Sequence, residues 1–265
     1  YKDRYGQQFG HEQMLHVGDR HKLLISRRAY RDHKNDDGAV IYLQKAHWHA
    51  LVPHLLHRRR GVKMIFDYDD WDLDRSPFLN HDFLNSIFFH SRDEAVITWK
   101  RVDESIACVA ASRELERLLK MRHPRVYYIP TGPDSQRFSM TGERRAARAR
   151  QAKTVFVWCG NIWGDIILGN VVFLLKCFSK VYQANQDVVL RLLAWGTYGH
   201  VLRGLISTAF RDLPIEFREF IHPDHVPDFL AEAHVGLLPL QADEMNVQWL
   251  RSKSPTKQFE YMAME

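Results

Sequence analysis

Apolar residues in this chain of 265 residues fall into short strand-like runs separated by helix-length segments. Runs at 39–43, 62–66, 105–110 and 126–129, rich in β-branched and aromatic residues, predict four strands, with helices at 49–60, 83–91 and 113–121. The rhythm stops across 139–153, which has no strand character and no large apolar face. It then resumes with strands at 154–158, 188–194, 217–220 and 235–239 and helices at 168–183, 200–210 and 223–233. A long polar loop, 241–253, leads into a closing helix at 254–264. Strands alternating with helices argue for βαβ units and parallel sheets. The pattern therefore predicts an α/β chain of two Rossmann-like, doubly wound parallel-sheet domains: residues 1–140, a basic linker at 141–153, and 154–265. The chain starts at Tyr1 and stops inside a predicted helix at Glu265, so the expectation is a native chain longer at both ends.

Composition narrows the class. A hydrophobic share of 45% with seven Trp and fifteen Phe indicates folded cores. No apolar run approaches the roughly 18 residues of a membrane span. Cys108, Cys159 and Cys177 are odd in number and lack metal-ligand spacing, which predicts reduced thiols and a cytoplasmic setting. The net charge of +5 is uneven: residues 1–150 carry 27 Lys/Arg against 20 Asp/Glu, and residues 151–265 carry 10 against 12. The basic first half suits peripheral contact with an anionic membrane at the inner face. Arg58-Arg59-Arg60 itself fits a helix C-terminus, where cations are favourable. No aromatic-and-basic strand motif accompanies the charge, which argues against nucleic acid. No Gly-x-Ser-x-Gly elbow, phosphate-binding P-loop or CxxC pair is present, which argues against hydrolase, NTPase and zinc-finger classes.

The last fifteen residues carry the densest chemistry. Ser254-Pro255 reads as a helix start, a hydroxyl N-cap followed by a proline that needs no N–H donor. Lys253 and Lys257 flank that start, where the helix dipole is already positive, at a cost of roughly 0.3–1 kcal/mol each. An anion on the first-turn N–H groups, including that of Thr256, relieves the conflict, and phosphate is the usual guest. Glu260 lies three residues after Lys257, near the same face, and can accept hydrogen bonds from sugar hydroxyls. The pattern points to a phosphorylated, hydroxyl-rich ligand such as a nucleotide sugar; a capped surface helix with a Lys–Glu pair is the structural alternative.

Ligands of open parallel sheets bind beyond the carboxyl ends of the strands. In the second half that rim gathers Gly160-Asn161, Gly196 and Phe220-Ile221 with the closing helix. In the first half it gathers Asp67-Tyr68-Asp69-Asp70, with Asp72 and Asp74 following. Such crowding raises at least one carboxyl pKa unless a cation, a donor or water relieves it. The turn suits a general base, a binder of substrate hydroxyls, a divalent metal, or solvated caps and turns. His47-Trp48-His49, on the same rim, fits an acceptor or phosphate contact, a packing role, or zinc if a third ligand joins.

These motifs together resemble the nucleotide-sugar glycosyltransferases of the GT-B fold, family 4 in particular. The resemblance rests on Val62-Lys-Met-Ile-Phe-Asp-Tyr-Asp-Asp70, on Tyr127-Tyr-Ile-Pro-Thr-Gly-Pro-Asp134, on residues 217–239, and on Ser252-Lys-Ser-Pro-Thr-Lys-Gln-Phe-Glu-Tyr-Met-Ala263. It implies two domains facing a cleft, the acceptor on the first and the donor on the second. Transfer with retention at the anomeric carbon is implied, with no cofactor beyond the nucleotide-diphosphate sugar and usually no metal. Glu260 matches the glutamate that holds the donor ribose, and Lys257 and Lys253 stand where the diphosphate is expected. Asp69 or Asp70 would orient the acceptor or a developing oxocarbenium, with His47 and His49 on the acceptor side. Four features depart from the family; one is the acidic turn Asp67-Tyr-Asp-Asp70 where many members have a histidine, although related members carry a similar turn. Ser252 stands where a second acid is expected, the glycine-rich loop after the first acceptor-domain strand is not seen, and Glu265 replaces a common glycine. Two other readings use the same scaffold: a sugar epimerase or phosphorylase, and a degenerate domain acting as a binding or assembly partner. A metal-dependent transferase of the GT-A type is disfavoured by the second Rossmann-like half.

Overall fold

A computed structural model of the chain describes residues 27–28, 31–32, 35, 38–44, 51–71, 90–91, 94–241 and 247–265. Contacts divide the chain into two compact units, residues 1–130 with 251–253, and residues 131–250 with 254–265.

The first unit holds a four-stranded parallel sheet in the order β1 (Val40–Gln44), β2 (Lys63–Tyr68), β3 (Ala107–Ala110), β4 (Val126–Tyr128). Helices α1 (Leu51–Arg60), α2 (Glu94–Glu104) and α3 (Arg113–Lys120) intervene. Met64, Phe66 and Tyr68 alternate with partly exposed residues along β2 and bury against Cys108, Ala110, Leu115 and Leu119. Helix α3 is locally specified: the Ser112 hydroxyl accepts the Leu115 N–H, Glu114 and Glu116 sit at its positive end, and Arg117 and Lys120 at its negative end. Helix α2 is one that the apolar pattern did not separate from its neighbours. The expected helix at 83–91 lies almost wholly outside the described residues.

The second unit holds β5 (Thr154–Asn161), β6 (Val188–Trp195), β7 (Ile215–Arg218) and β8 (Val235–Gly236), all parallel, in the order β7-β6-β5-β8. Helix α4 (Gly142–Ala149) precedes them, α5 (Asp165–Ala184), α6 (Gly199–Thr208) and α7 (Val226–Ala231) lie between them, and α8 (Val247–Ser252), whose last two residues count with the first unit, and α9 (Thr256–Met262) follow. Strand alternation feeds two cores. Trp158, Leu190 and Leu192 pack with Val171, Leu175 and Phe178 of α5, whereas Val155, Val157, Cys159 and Leu193 pack with Phe229, Leu230 and Met264. Helices therefore cover both faces, as a doubly wound sheet requires.

The segment expected as a linker, 141–153, holds a helix. Residues 142–149 form α4, and the division between units falls at Pro130 and Thr131. Thr141 caps α4, and its arginines dock it: Arg144 reaches Asp228 at 2.8 Å, and Arg148 donates to the carbonyls of Ala231 and Met264. The helix has no buried residue, so no apolar face betrayed it in the sequence. The third strand of this half also shifts, from the expected 217–220 to Ile215–Arg218. Part of the expected loop at 241–253 is the short helix α8. Among the described residues no helix is long and apolar enough to cross a membrane.

Candidate functional site

In the order β7-β6-β5-β8, successive strands run outward from β5 on one side and β8 lies on the other. The order of strand addition reverses between β5 and β8, which stay parallel, and the crevice outside their carboxyl ends is where such sheets bind ligands. Gly160 and Asn161 end β5 there, paired with Ala194 and Trp195. The turn after β6 is pinned to the turn after β5: the Ile162 N–H donates to Trp195 O at 2.6 Å, and the Tyr198 N–H to Ile162 O at 3.0 Å. Gly196 takes φ +104°, and a Cβ there would stand 2.0 Å from Asn161 Oδ1 and 2.9 Å from Ile162 O. Here glycine is required both by conformation and by space.

Helix α9 lays its first turns over the same strand end. Lys257 Nζ lies 3.0 Å from where a Cβ on Gly160 would stand and 5.5 Å from the Trp158 ring centroid. Glu260, one turn on, is half-buried; burial pushes its carboxyl pKa up, against the pull of Lys257 and Arg137. Tyr261 anchors the helix from below, its hydroxyl accepting the buried Cys159 N–H at 3.2 Å. Burial raises the Tyr261 hydroxyl well above its ordinary value and the Cys159 thiol to about 12, so neither ionises near neutrality. Tyr261→Phe leaves the Cys159 N–H without its acceptor and is expected to cost about 1–3 kcal/mol, read as a lower urea midpoint.

Glu260 also sets a pH signature. An acid with a raised folded pKa holds its proton more tightly when folded. Its stabilising contribution is complete below the unfolded value near 4.3 and is lost as pH rises through the folded one. Glu260→Gln is therefore expected to raise the thermal midpoint at pH 7 and leave it unchanged near pH 3.5. A lower midpoint at pH 7 would contradict this account of the Glu260 environment.

Not every expected residue joins this cluster. The expected Ser254 cap is replaced by Pro255, extended at ψ 123°, with no side-chain capping bond. That ψ lies outside the helical range, so Pro255 stands before the helix and not in it, and the helix starts only at Thr256. Lys253 belongs to the first unit, where its Nζ bonds Asp70 Oδ1 at 2.9 Å. Phe220 lies two residues beyond β7 and is 70% exposed, while Ile221 packs into the second unit's core. In the first unit Gln44 Nε2 donates to Asp69 Oδ2 at 2.8 Å. Burial and the charge of Asp69 raise the Asp67 carboxyl despite a hydrogen bond from Tyr42, whose own hydroxyl rises to about 12. His47, His49, Asp72 and Asp74 lie outside the described residues.

Arg137 was not foreseen. Its charge acts on Glu260, and its Nη2 lies 3.3 Å from Asp224 Oδ1. Its place three residues after Asp134, in the motif that ends the first half, was the available signal.

Solved structures share this fold. Sucrose-phosphate synthase from Thermosynechococcus elongatus superposes with a TM-score of 0.58 at 12% identity, over 92% of this chain and 60% of that one. The trehalose-6-phosphate phosphatase N-terminal domain of Candida albicans gives 0.61 at 13%, over 98% and 61%. The catalytic domain of starch synthase IV from Arabidopsis thaliana, bound to ADP and acarbose, gives 0.56 at 12%, over 87% and 57%. The fold is GT-B, two Rossmann-like parallel-sheet units, and the chain spans about three fifths of the length of these structures. No family model and no curated protein matches the sequence.

Proposed function

We propose that this chain belongs to a retaining, family 4-like glycosyltransferase whose second unit binds a nucleotide-diphosphate sugar. The carrying observation is Lys257 Nζ poised over Gly160 with half-buried Glu260 one turn away, at the reversal point of a parallel sheet. In this reading Lys257 and the α9 start, Ser254 and Thr256 included, neutralise the diphosphate, and Glu260 accepts from the ribose hydroxyls. The base lies along Phe220-Ile221, and Gly160, Asn161 and Gly196 keep the strand ends low enough for the ligand to approach. The bond from the anomeric carbon to the diphosphate oxygen breaks, and the acceptor oxygen takes its place. The acceptor's proton leaves with the nucleoside diphosphate, whose growing charge Lys257 offsets. Asp69 or Asp70 of the first unit would orient the acceptor. Bound ADP in one neighbour of the same fold supports a nucleotide as donor.

Ser252, fully buried where the resemblance places a second acid, favours one other reading: a degenerate domain that binds the donor without turning it over. Calorimetric titration with UDP and ADP, followed by assay of nucleotide-sugar turnover with and without chelator, separates the two. Nucleotide release surviving chelator is expected. Binding without turnover selects the degenerate reading, and no binding of any nucleotide removes both.

A further inference from the structure

Helix α5 is apolar on two sides. Val171, Leu174, Leu175 and Phe178 are buried against the sheet. Its outward side carries Ile166 (57% exposed), Phe173 (41%) and Val181 (39%), with exposed Cys177 in the same line and Trp163 (47%) just ahead of the helix. At about 3.6 residues per turn these positions form one stripe along a helix of 20 residues. Asn170, which falls between Ile166 and Phe173 on this side, is buried and accepts the Gln241 N–H; the apolar positions on either side of it stay exposed, and exposed apolar area of this kind marks a contact. The helix has three charges: Asp165 at its start and Lys176 and Lys180 in its second half.

We propose that this stripe is the contact between two copies of the chain, α5 packing antiparallel on α5 about a two-fold axis at Phe173. Charge complementarity selects both the partner and the direction. A parallel pair would set Asp165 beside Asp165 and lysine beside lysine. An antiparallel pair centred on Phe173 sets Asp165 opposite Lys180, each about 10–12 Å from the axis at 1.5 Å per residue. Asp165 already accepts from the Tyr198 hydroxyl and, as a carboxylate, has further lone pairs for a lysine. Gly169 and Cys177, four residues to either side of Phe173, are small enough to let the backbones approach around the two rings. The opposed helix dipoles also favour this direction. An anionic bilayer would gain from the lysines but would have to accommodate Asp165, so a near-balanced face fits a second copy better.

Sedimentation equilibrium is the test. The wild-type chain is expected to dimerise with concentration, and Phe173→Glu to be monomeric with an unchanged circular-dichroism spectrum. Lys180→Glu is expected to weaken the dimer roughly tenfold, since the pair occurs twice across the axis, and Asp165→Lys/Lys180→Glu to restore it. If Phe173→Glu does not fold, mild oxidation of Phe173→Cys in a Cys177→Ser background decides. A disulfide-linked dimer is expected, because Cys108 and Cys159 are buried and position 173 lies on the axis. A wild-type monomer at all concentrations, a dimer indifferent to Phe173→Glu, or no cross-link at position 173 overturns the proposal. So does a monomer that binds phosphatidylserine vesicles through Phe173, which would assign the face to lipid.

Discussion

Lys257→Ala is expected to weaken UDP or ADP binding about 10- to 100-fold in calorimetric titration. That range corresponds to one charge-assisted hydrogen bond of about 1.5–3 kcal/mol. The loss should shrink as salt is raised, since a partly exposed ammonium acting on a diphosphate is screened. Gly160→Ala is expected to act in the same direction by another route. Its methyl group would stand 2.6 Å from Trp158 Cζ2 and 3.0 Å from Lys257 Nζ, so both side chains must move off the strand end. The pair of variants is more informative than either alone. Loss in both ties the ligand to the space between α9 and β5. Unchanged affinity in both would remove Lys257 from the donor site while leaving the fold untouched.

Much of this arrangement was legible in the sequence because it is local. Lys257 and Glu260 share a helix face by spacing, and the strands of both sheets announce themselves through alternating or continuous apolar runs. The errors have identifiable causes. The apolar run predicts that β5 stops at Trp158, and Gly and Asn are poor strand formers, yet Gly160 and Asn161 continue in register with Ala194 and Trp195. Partner strands overrode propensity at the strand end where the candidate site lies. Helix α4 was hidden because arginine bonds to Asp228 and Ala231 O, not apolar burial, hold it down. The pairing of Lys253 with Asp70 joins positions 183 apart, and no local pattern reports such a contact. Arg137 escaped for a related reason: the electrostatic field at Glu260 is assembled from distant segments, whereas helix spacing reports only neighbours.

Gly196→Ala is expected to be the most destabilising single change near the site. At φ +104° an L-residue is strained by about 1–3 kcal/mol, whatever surrounds it. Overpacking adds about 1–3 kcal/mol, because the new Cβ meets Asn161 Oδ1 and, less avoidably, the Ile162 carbonyl. The Asn161 side chain can swing aside; Ile162 cannot, since its N–H is held by Trp195 O and its carbonyl accepts from Tyr198. A combined loss of about 2–6 kcal/mol would lower the thermal midpoint by roughly 4–24 °C at 2–4 °C per kcal/mol. The double variant Asn161→Ala/Gly196→Ala separates the causes. It should recover only the part due to the side-chain collision, leaving the backbone contact and the φ strain in place. Full recovery would mean that the asparagine alone dictates glycine at 196. No loss in the single variant would mean that the turn after β6 can adopt another path, and that the link between the β5 and β6 strand ends is looser than its hydrogen bonds imply.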